Sequence, residues 1–218
     1  MRRGGKLISI EGVEGSGKTT QCALLADYLR KQGIDIVETR EPGGTRVGEQ
    51  IRQVLLSPSN SSLSPASELL LFLAARAQQV EEIIAPALKI GKWVVCDRFS
   101  DATLAYQGHG RGIDLDAISK LNEIATGGLK PDLTILLDLD VETGISRAVT
   151  HKKEFKESRD GDRIEKQDRE FHRRVREGYL RLAQKEPARI MVIPVTGSIQ
   201  DVHQTVVSLV SPFLVKTP

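Results

Sequence analysis

Gly12-Val13-Glu14-Gly15-Ser16-Gly17-Lys18-Thr19, near the start of this 218-residue chain, is its most informative motif. An apolar run, residues 7–10, precedes it, and residues 20–25 are predicted to continue it as a helix. The spacing of its glycines, lysine and threonine is that of a phosphate-binding loop between a strand and a helix. Backbone N–H groups of such a loop, with the positive end of the helix dipole, surround a polyphosphate. The sequence therefore predicts a nucleoside triphosphate site, in which Lys18 reaches the outer phosphates and the Thr19 hydroxyl faces Mg²⁺.

The composition indicates one globular domain, which we place over residues 1–218. Hydrophobic residues make up 39% of the chain, enough for a packed core. The formal net charge of +2 gives no general case for a nucleic-acid or membrane partner. No apolar run is long enough to span a bilayer, and no secretory signal precedes the first strand. Cys22 and Cys96 lie in apolar segments, so we interpret them as reduced core residues of a cytoplasmic protein.

Apolar segments alternate with helical ones along the chain. This pattern predicts an α/β fold, a five-stranded parallel sheet with helices on both faces. A long helix is predicted from Pro65 to about Ala85, where Pro86 would end it. Its middle, residues 69–75, is apolar all round, which indicates burial against a second subunit as well as the core. The predicted strands are residues 7–10, 34–39, 93–96, 133–139 and 190–193.

Charged residues follow three of these strands, at the edge where ligands bind in open α/β sheets. Arg40 follows the second strand, where it could hold a phosphate or be an ordinary surface charge. Asp97 and Asp138 each end an apolar strand, so either could be the carboxylate near the metal. We favour Asp97, because Arg98 follows it and a phosphate site needs both charges.

Two further groups are open to more than one interpretation. Phe72 and Arg76 share a helix face, and a lone Phe there is more typical of core than of a binding site. Thr103, Tyr106 and Gln107 would fall on neighbouring helical turns, suited either to a base and sugar or to an amphipathic surface.

The region from residue 151 onward is dense in charge, as a solvated helix face would be. Its first part, residues 151–163, has almost no apolar periodicity and predicts a mobile flap carrying Arg159 and Arg163. We expect the helix to resume near Ile164.

Three classes of nucleotide-binding protein compete for this pattern: a small-molecule kinase, a GTP-dependent switch and a motor-type or partitioning ATPase. A switch would carry Asn-Lys-x-Asp and Asp-x-x-Gly motifs, and neither occurs in the sequence. A motor usually needs a larger body. Phosphoryl transfer needs positive charge and alignment more than acid–base chemistry, so the kinase class best explains the arginines outside the loop. These are Arg40, Arg76, Arg98, Arg159 and Arg163.

Several stretches together match one family in its order along the chain: Glu11–Thr20, Thr39–Thr45, Phe72–Arg76, Asp97-Arg98, Ala105–Gly108 and Asp162–Glu165. Through them, the chain resembles the bacterial thymidylate kinases (dTMP kinases). The loop alone is shared by many families, but the combination is specific and spans most of the chain. The resemblance implies a P-loop kinase that moves the γ-phosphoryl group of ATP to dTMP, giving dTDP and ADP in dTTP synthesis. It also implies Mg²⁺ as cofactor and a homodimer, with no nucleic-acid or membrane partner.

The resemblance further implies roles for individual residues. Thr19 and Asp97 would hold the metal, and Arg40 and Arg98 the phosphate of dTMP. ATP would contact Gly12, Glu14, Gly15, Ser16, Gly17, Lys18, Thr19, Thr20 and Arg147. The dTMP site would comprise Glu14, Arg40, Glu41, Pro42 after a cis peptide, Arg52, Phe72 stacked on thymine, Arg76, Arg98, Thr103, Tyr106 beneath the sugar and Gln107.

The implied catalytic residues are Lys18, Arg98 and an arginine of the flap, Arg159 or Arg163. Some relatives carry an arginine at the position of Gly15. Its absence here places the chain in the subgroup whose flap supplies that charge. Phe99 departs from the usual Tyr or His after Asp-Arg, which would remove a polar group beside the acceptor.

Overall fold

The computed structural model describes residues 4–154 and 162–214. Its centre is a sheet of five parallel strands in the order β2-β3-β1-β4-β5, which confirms the predicted class. The strand that leads into the glycine loop is therefore the central one, as expected for a buried apolar run. The strands are β1 (Leu7–Gly12), β2 (Ile36–Arg40), β3 (Trp93–Asp97), β4 (Leu133–Asp138) and β5 (Ile190–Pro194).

Helices cover both faces of the sheet, and three of them begin at a side chain that caps the first turn. The Ser64 hydroxyl accepts a hydrogen bond from Ser67 N at the start of α3, and Asp114 caps α6 in the same way. A capping box of Ser198 and Asp201 opens α9. The helices are α1 (Lys18–Lys31), α2 (Arg46–Leu56), α3 (Pro65–Gln79), α4 (Ala85–Lys89), α5 (Ser100–Thr103), α6 (Leu115–Thr126), α7 (Val141–Glu154), α8 (Arg169–Lys185) and α9 (Ile199–Val210).

Two wide turns interrupt the helical segments where regular helices were predicted. The prediction that the long helix ends before Pro86 is wrong: a π-type turn, Val80–Ile84, carries the chain into α4, which has Pro86 in its first turn. A wide turn before a proline accommodates its ring and its missing N–H without ending the helix. A second π-type segment, Leu104–Gly110, follows α5 and carries Tyr106 and Gln107.

The core forms on both faces of the sheet because successive strand side chains point to opposite sides. Ile8 and Ile10 pack with α1 and α9 on one face, whereas Leu7 packs with α4 on the other. Cys22 and Cys96 belong to these two cores, and both are buried free thiols, as predicted. Within the described ranges, no helix combines the length and the apolar character needed to cross a membrane.

The predicted flap falls largely outside the described residues, since 155–161 are not among them. Helix α7 reaches Glu154, and the chain is described again from Asp162. The expected helix start at Ile164 is wrong, because the Asp162 carboxylate accepts bonds from Ile164 N and Glu165 N and holds a turn there. Helix α8 begins only at Arg169, after its cap Asp168.

Candidate functional site

The glycine loop connects the central strand β1 to α1, as its spacing predicts. Gly12, Gly15 and Gly17 adopt φ values of 143°, 69° and 89°, a region that favours glycine. A Cβ at Gly15 would lie 2.1 Å from the carbonyl oxygen of Gly144 in α7. The chain therefore has no room for an arginine at this position. The Ser16 hydroxyl is buried in the loop without a hydrogen-bond partner in the described part of the chain.

Lys18 lies at the base of this loop. Its side chain is buried, and its Nζ donates a hydrogen bond of 2.9 Å to the Val13 carbonyl oxygen. Burial, with the nearby charge of Arg98, lowers the pKa of Lys18. The amine is thus held inside the curve of the loop, where the negative charge of a phosphate would favour its charged form.

Thr19 and Asp97 meet at the start of α1. The Thr19 hydroxyl donates to Asp97 Oδ2 at 2.6 Å. The rival carboxylate, Asp138, instead accepts bonds from Arg176 at 2.7 and 3.0 Å. The geometry thus favours Asp97 as the carboxylate near the nucleotide. A hydroxyl and a carboxylate are oxygen donors of the kind that Mg²⁺ prefers.

The guanidinium of Arg98 lies between the glycine loop and the side chains of Tyr106 and Tyr179. Its Nη1 donates to Gly12 O at 2.9 Å and to Tyr179 Oη at 3.2 Å. Its Nη2 lies 3.3 Å from Glu14 Oε2, and the group sits 4.9 Å from the centre of the Tyr106 ring. Arg98 also has φ of 72°, unlike any other non-glycine among the described residues. This strained backbone is typical of a functional position.

Glu11 and Tyr179, to which the sequence analysis gave no role, hold Arg98 in place. Glu11 is fully buried and accepts bonds from Phe99 N at 2.6 Å and Tyr179 Oη at 2.7 Å. Burial raises the pKa of Glu11 to about 8. The sequence signal that could have identified Glu11 is its position as a carboxylate in the largely apolar strand β1. Phe99 itself is fully buried against Arg76, so its ring belongs to the core rather than to the acceptor site.

One cleft beside the loop collects every residue predicted for the dTMP site, together with Lys18, Thr19 and Asp97. Sequence reasoning assigned no role to four residues of its lining, Leu56, Ala102, Asp162 and Ile164, although the last two lie in the matched stretch Asp162–Glu165. Its walls are Glu14, Lys18, Thr19, Arg40, Glu41, Pro42, Arg52, Leu56, Phe72, Arg76, Asp97, Arg98, Ala102, Thr103, Tyr106, Gln107, Asp162 and Ile164.

Arginines concentrate positive charge at one end of this cleft. Arg40 lies at the end of β2 and is paired with Glu49 at 3.3 Å. Arg52 donates to Pro42 O at 2.8 Å, after the cis Glu41–Pro42 peptide that the resemblance implies. Burial and the charge of Arg40 lower the pKa of Arg52. Such an end is suited to an anion.

Arg76 organises the opposite wall. All five of its N–H groups are used, in bonds to the Glu41 carboxylate, Thr103 Oγ1, Asn122 Oδ1 and Phe99 O. Burial raises the pKa of Glu41, an effect that its bonds to Arg76 partly offset. A hydrogen bond from Arg76 to a nucleobase therefore requires that one of these bonds be exchanged.

The structure does not bring Arg163 to the reacting groups. Its side chain is buried, with Nη1 2.6 Å from Glu68 Oε2 and Nε 2.8 Å from Leu55 O. Its neighbours Asp162 and Ile164 line the cleft, but Arg163 does not. This corrects its catalytic assignment: a buried carboxylate holds the guanidinium behind the wall of the cleft.

Two other predicted residues, Thr20 and Arg147, lie at the margin of the site. Thr20 is exposed near the start of α1, and Arg147 is exposed on α7, one turn beyond the contact of Gly144 with Gly15. Neither belongs to the lining of the cleft in the described ranges. Arg159 lies outside the described residues.

Comparisons with known proteins agree with this geometry. The family model for thymidylate kinase matches residues 10–206. A thymidylate kinase from Pelobacter propionicus is 50% identical over 206 residues, covering 94% of both chains. One from Synechococcus sp. is also 50% identical, over 95% of this chain and 96% of the relative. The crystal structure of thymidylate kinase from Ehrlichia chaffeensis is 37% identical, with a TM-score of 0.76 over 94% of this chain and 98% of that one. The chain therefore belongs to the thymidylate kinase family, nucleoside monophosphate kinases that transfer the γ-phosphoryl group of ATP to dTMP.

Proposed function

We propose that the cleft holds ATP in the glycine loop and dTMP beside it, so that the phosphoryl group passes directly and in line between them. The observation that carries this proposal is the position of Arg98. One guanidinium contacts the loop at Gly12 and Glu14 and lies over Tyr106 in the acceptor wall. A fixed cation there faces the charge that spreads over the moving group.

On the donor side, the loop N–H groups and Lys18 bind the phosphates of ATP, and Arg147 lies against the adenine. Thr19 and Asp97 are the residues that would hold Mg²⁺, and their oxygen donors fit that ion. When bound, Mg²⁺ neutralises charge on the outer phosphates. The buried, unpaired Ser16 hydroxyl supports a ligand in the loop.

On the acceptor side, Arg40, Arg52 and Arg98 bind the phosphate of dTMP. Phe72 stacks on the base, and Tyr106 packs beneath the sugar. Both aromatic residues line the cleft, which also presents Thr103 and Gln107 for hydrogen bonds to the base. The acceptor phosphate is largely ionised near neutral pH, since its second pKa is about 6. No strong general base is therefore required, and Lys18, Arg98 and Arg159 supply the stabilising charge.

We also propose a homodimer formed through α2, α3 and α6. Helix α3 packs against both α2 and α6, and the three helices leave large apolar side chains exposed, which favours a covered face. The residues are Val54 (42% exposed), Leu70 (58%) and Ile124 (79%). The two buried thiols support a reducing, cytoplasmic location. Sedimentation velocity at micromolar concentration measures the assembly state, and a monomer would contradict this part of the proposal.

The substrate assignment is tested by ADP release from ATP with a panel of nucleoside monophosphates. We expect release that depends on the acceptor, with dTMP preferred. In the Phe72→Ala variant, the KM for dTMP should rise by about 5- to 150-fold, because the loss of one base–aromatic stack costs about 1–3 kcal/mol. The KM for ATP should change much less. Equal changes in both KM values would show that Phe72 only packs in the core. ADP release that does not depend on the nucleoside monophosphate would contradict the kinase assignment.

A further inference from the structure

Glu68 is a buried carboxylate that no motif singles out. It lies in the first turn of α3, on the same face as Phe72 and Arg76, which follow at intervals of four residues. Its side chain is only 1% exposed. An ionised group so deeply buried requires specific partners, because burial without them is costly.

The partners of Glu68 come from two other parts of the chain. Gln107 Nε2 donates to Oε1 at 2.8 Å, and Arg111 donates from Nε at 3.1 Å and from Nη2 at 3.0 Å. Arg163 Nη1 donates to Oε2 at 2.6 Å. Burial acts to raise the pKa of Glu68, but the bonds from Arg111 and Gln107 outweigh it and lower that pKa. Glu68 therefore remains an anion that accepts hydrogen bonds and cannot donate them.

This charge state fixes the orientation of the Gln107 amide. An ionised carboxylate can be approached only by the NH₂ end of the amide, so the amide oxygen is directed away from Glu68. Gln107 lines the same cleft as Phe72, and in the described part of the chain no group donates to its amide oxygen, which leaves that oxygen as an acceptor for a ligand. The wall then requires a hydrogen-bond donor from the base that faces it.

We propose that Glu68 is a positioning residue that makes the pocket select bases with a donor at N3. Thymine and uracil carry N3–H, whereas N3 of cytosine is an acceptor and would face the Gln107 oxygen unpaired. A site that leaves a buried polar group unpaired rejects the wrong ligand strongly. This inference rests on the proposed placement of the base beside Phe72, and it makes no distinction between dTMP and dUMP.

The Glu68→Gln variant tests this role. A glutamine at this position offers an NH₂ group to Gln107, whose amide can then turn and present NH₂ to the base. We expect the preference for dTMP over dCMP to fall at least about tenfold, because the discrimination provided by one unpaired buried hydrogen-bonding group is of about this size. The preference is measured as the ratio of kcat/KM values or, where dCMP turns over too slowly, as the inhibition constant of dCMP over the KM of dTMP. The KM for dTMP should change more than kcat.

Asp101→Asn is the matched control, because Asp101 is an equally buried carboxylate that pairs with Arg189 and does not contact Gln107. It should lower stability and leave the ratio within about twofold of the wild type. If Glu68→Gln does not fold, Glu68→Gln with Arg111→Gln preserves the net charge of the cluster and should show the same loss of preference. In the wild type, dTMP methylated at N3 should be a poor acceptor.

Two results would overturn the proposal: a ratio that is unchanged in the folded Glu68 variants, whether or not both substrates lose activity equally, or efficient use of N3-methyl dTMP. The Phe72→Ala variant separates this failure from that of the base placement. If the placement is correct and only the role of Glu68 is wrong, Phe72→Ala still raises the KM for dTMP. If the base lies elsewhere, neither variant affects dTMP selectively.

Discussion

Glu11 shows how one residue links the central strand to the cation at the site. Its carboxyl group receives Phe99 N on one oxygen and the Tyr179 hydroxyl on the other. The first bond fixes the backbone directly after Arg98, and the second fixes a phenol that contacts the Arg98 guanidinium. Glu11 therefore positions Arg98 without lining the cleft.

The buried carboxyl group of Glu11 predicts a pH-dependent stability. Its pKa rises from 4.5 to about 8 on folding, so between these values only the folded protein keeps the proton. The stabilisation is complete below pH 4.5, and it is lost as the pH rises through 8, at about 1.4 kcal/mol per pH unit. Glu11→Gln, which carries no such proton, should lose less stability between about pH 5.5 and pH 7.5. Urea unfolding at the two pH values measures the difference.

The control for this experiment is Glu123→Gln, which removes an exposed carboxylate of α6 and should retain the wild-type pH slope. Identical slopes in Glu11→Gln and the wild type would show that the folded protein does not hold that proton.

The role of a residue was predictable from the sequence where the residue belongs to a motif. The residues that contact it in the fold were not predictable. Arg98 and Arg163 both follow an aspartate and look alike in sequence. Only the fold shows that one contacts the glycine loop and the other is bound by Glu68, which is 95 residues away along the chain. Such long-range ion pairs leave no local spacing to detect.

At the scale of elements, the glycine loop and α7 meet backbone to backbone. A Cβ at Gly144 would lie 2.4 Å from Glu14 O, and one at Gly15 would lie 2.1 Å from Gly144 O. Two glycines therefore permit the same close approach from both sides. The contact holds α7 close to the glycine loop, and with it Arg147 one turn later.

The Gly15→Ala substitution should break this contact. Alanine would be strained at φ of 69° and would also collide with α7, so either the loop or the helix must move. We expect a loss of stability of about 1–3 kcal/mol and a rise in the KM for ATP that exceeds the rise for dTMP. Gly33→Ala is the control, since Gly33 has φ of 78° but no atom within 4 Å of the added Cβ. If both variants behaved alike, strain alone would account for the effect and the contact with α7 would be unimportant.

Elements with a local signal were predictable from the sequence, and those set by hydrogen-bond register were not. Serine and aspartate caps marked the starts of α3, α6 and α9 correctly. The π-type turns at Val80–Ile84 and Leu104–Gly110 have no such marker, because their register depends on packing against neighbouring elements. The late start of α8 was missed for a related reason, since the Asp162 turn competes locally with the helix.

In the whole molecule, the strand order brings the charged residues together. Asp97 of β3 pairs in register with Ile10 of β1 on one side and with Arg40 of β2 on the other. The carboxyl ends of three adjacent strands thus present the glycine loop, Asp97 and Arg40 at one edge. Alternating strands and helices predicted a parallel sheet, but the order of the strands is a long-range property that the pattern did not specify.

In the proposed mechanism, Arg98 acts on the phosphoryl group between the two nucleotides. Single-turnover transfer from ATP to dTMP in the Arg98→Ala variant measures this action, and Arg30→Ala, which removes an exposed arginine of α1, is the control. We predict that the transfer rate constant falls by on the order of 10³-fold or more while the Kd values of ATP and dTMP change far less. A rate constant within about tenfold of the wild type, in a folded variant, would contradict the account.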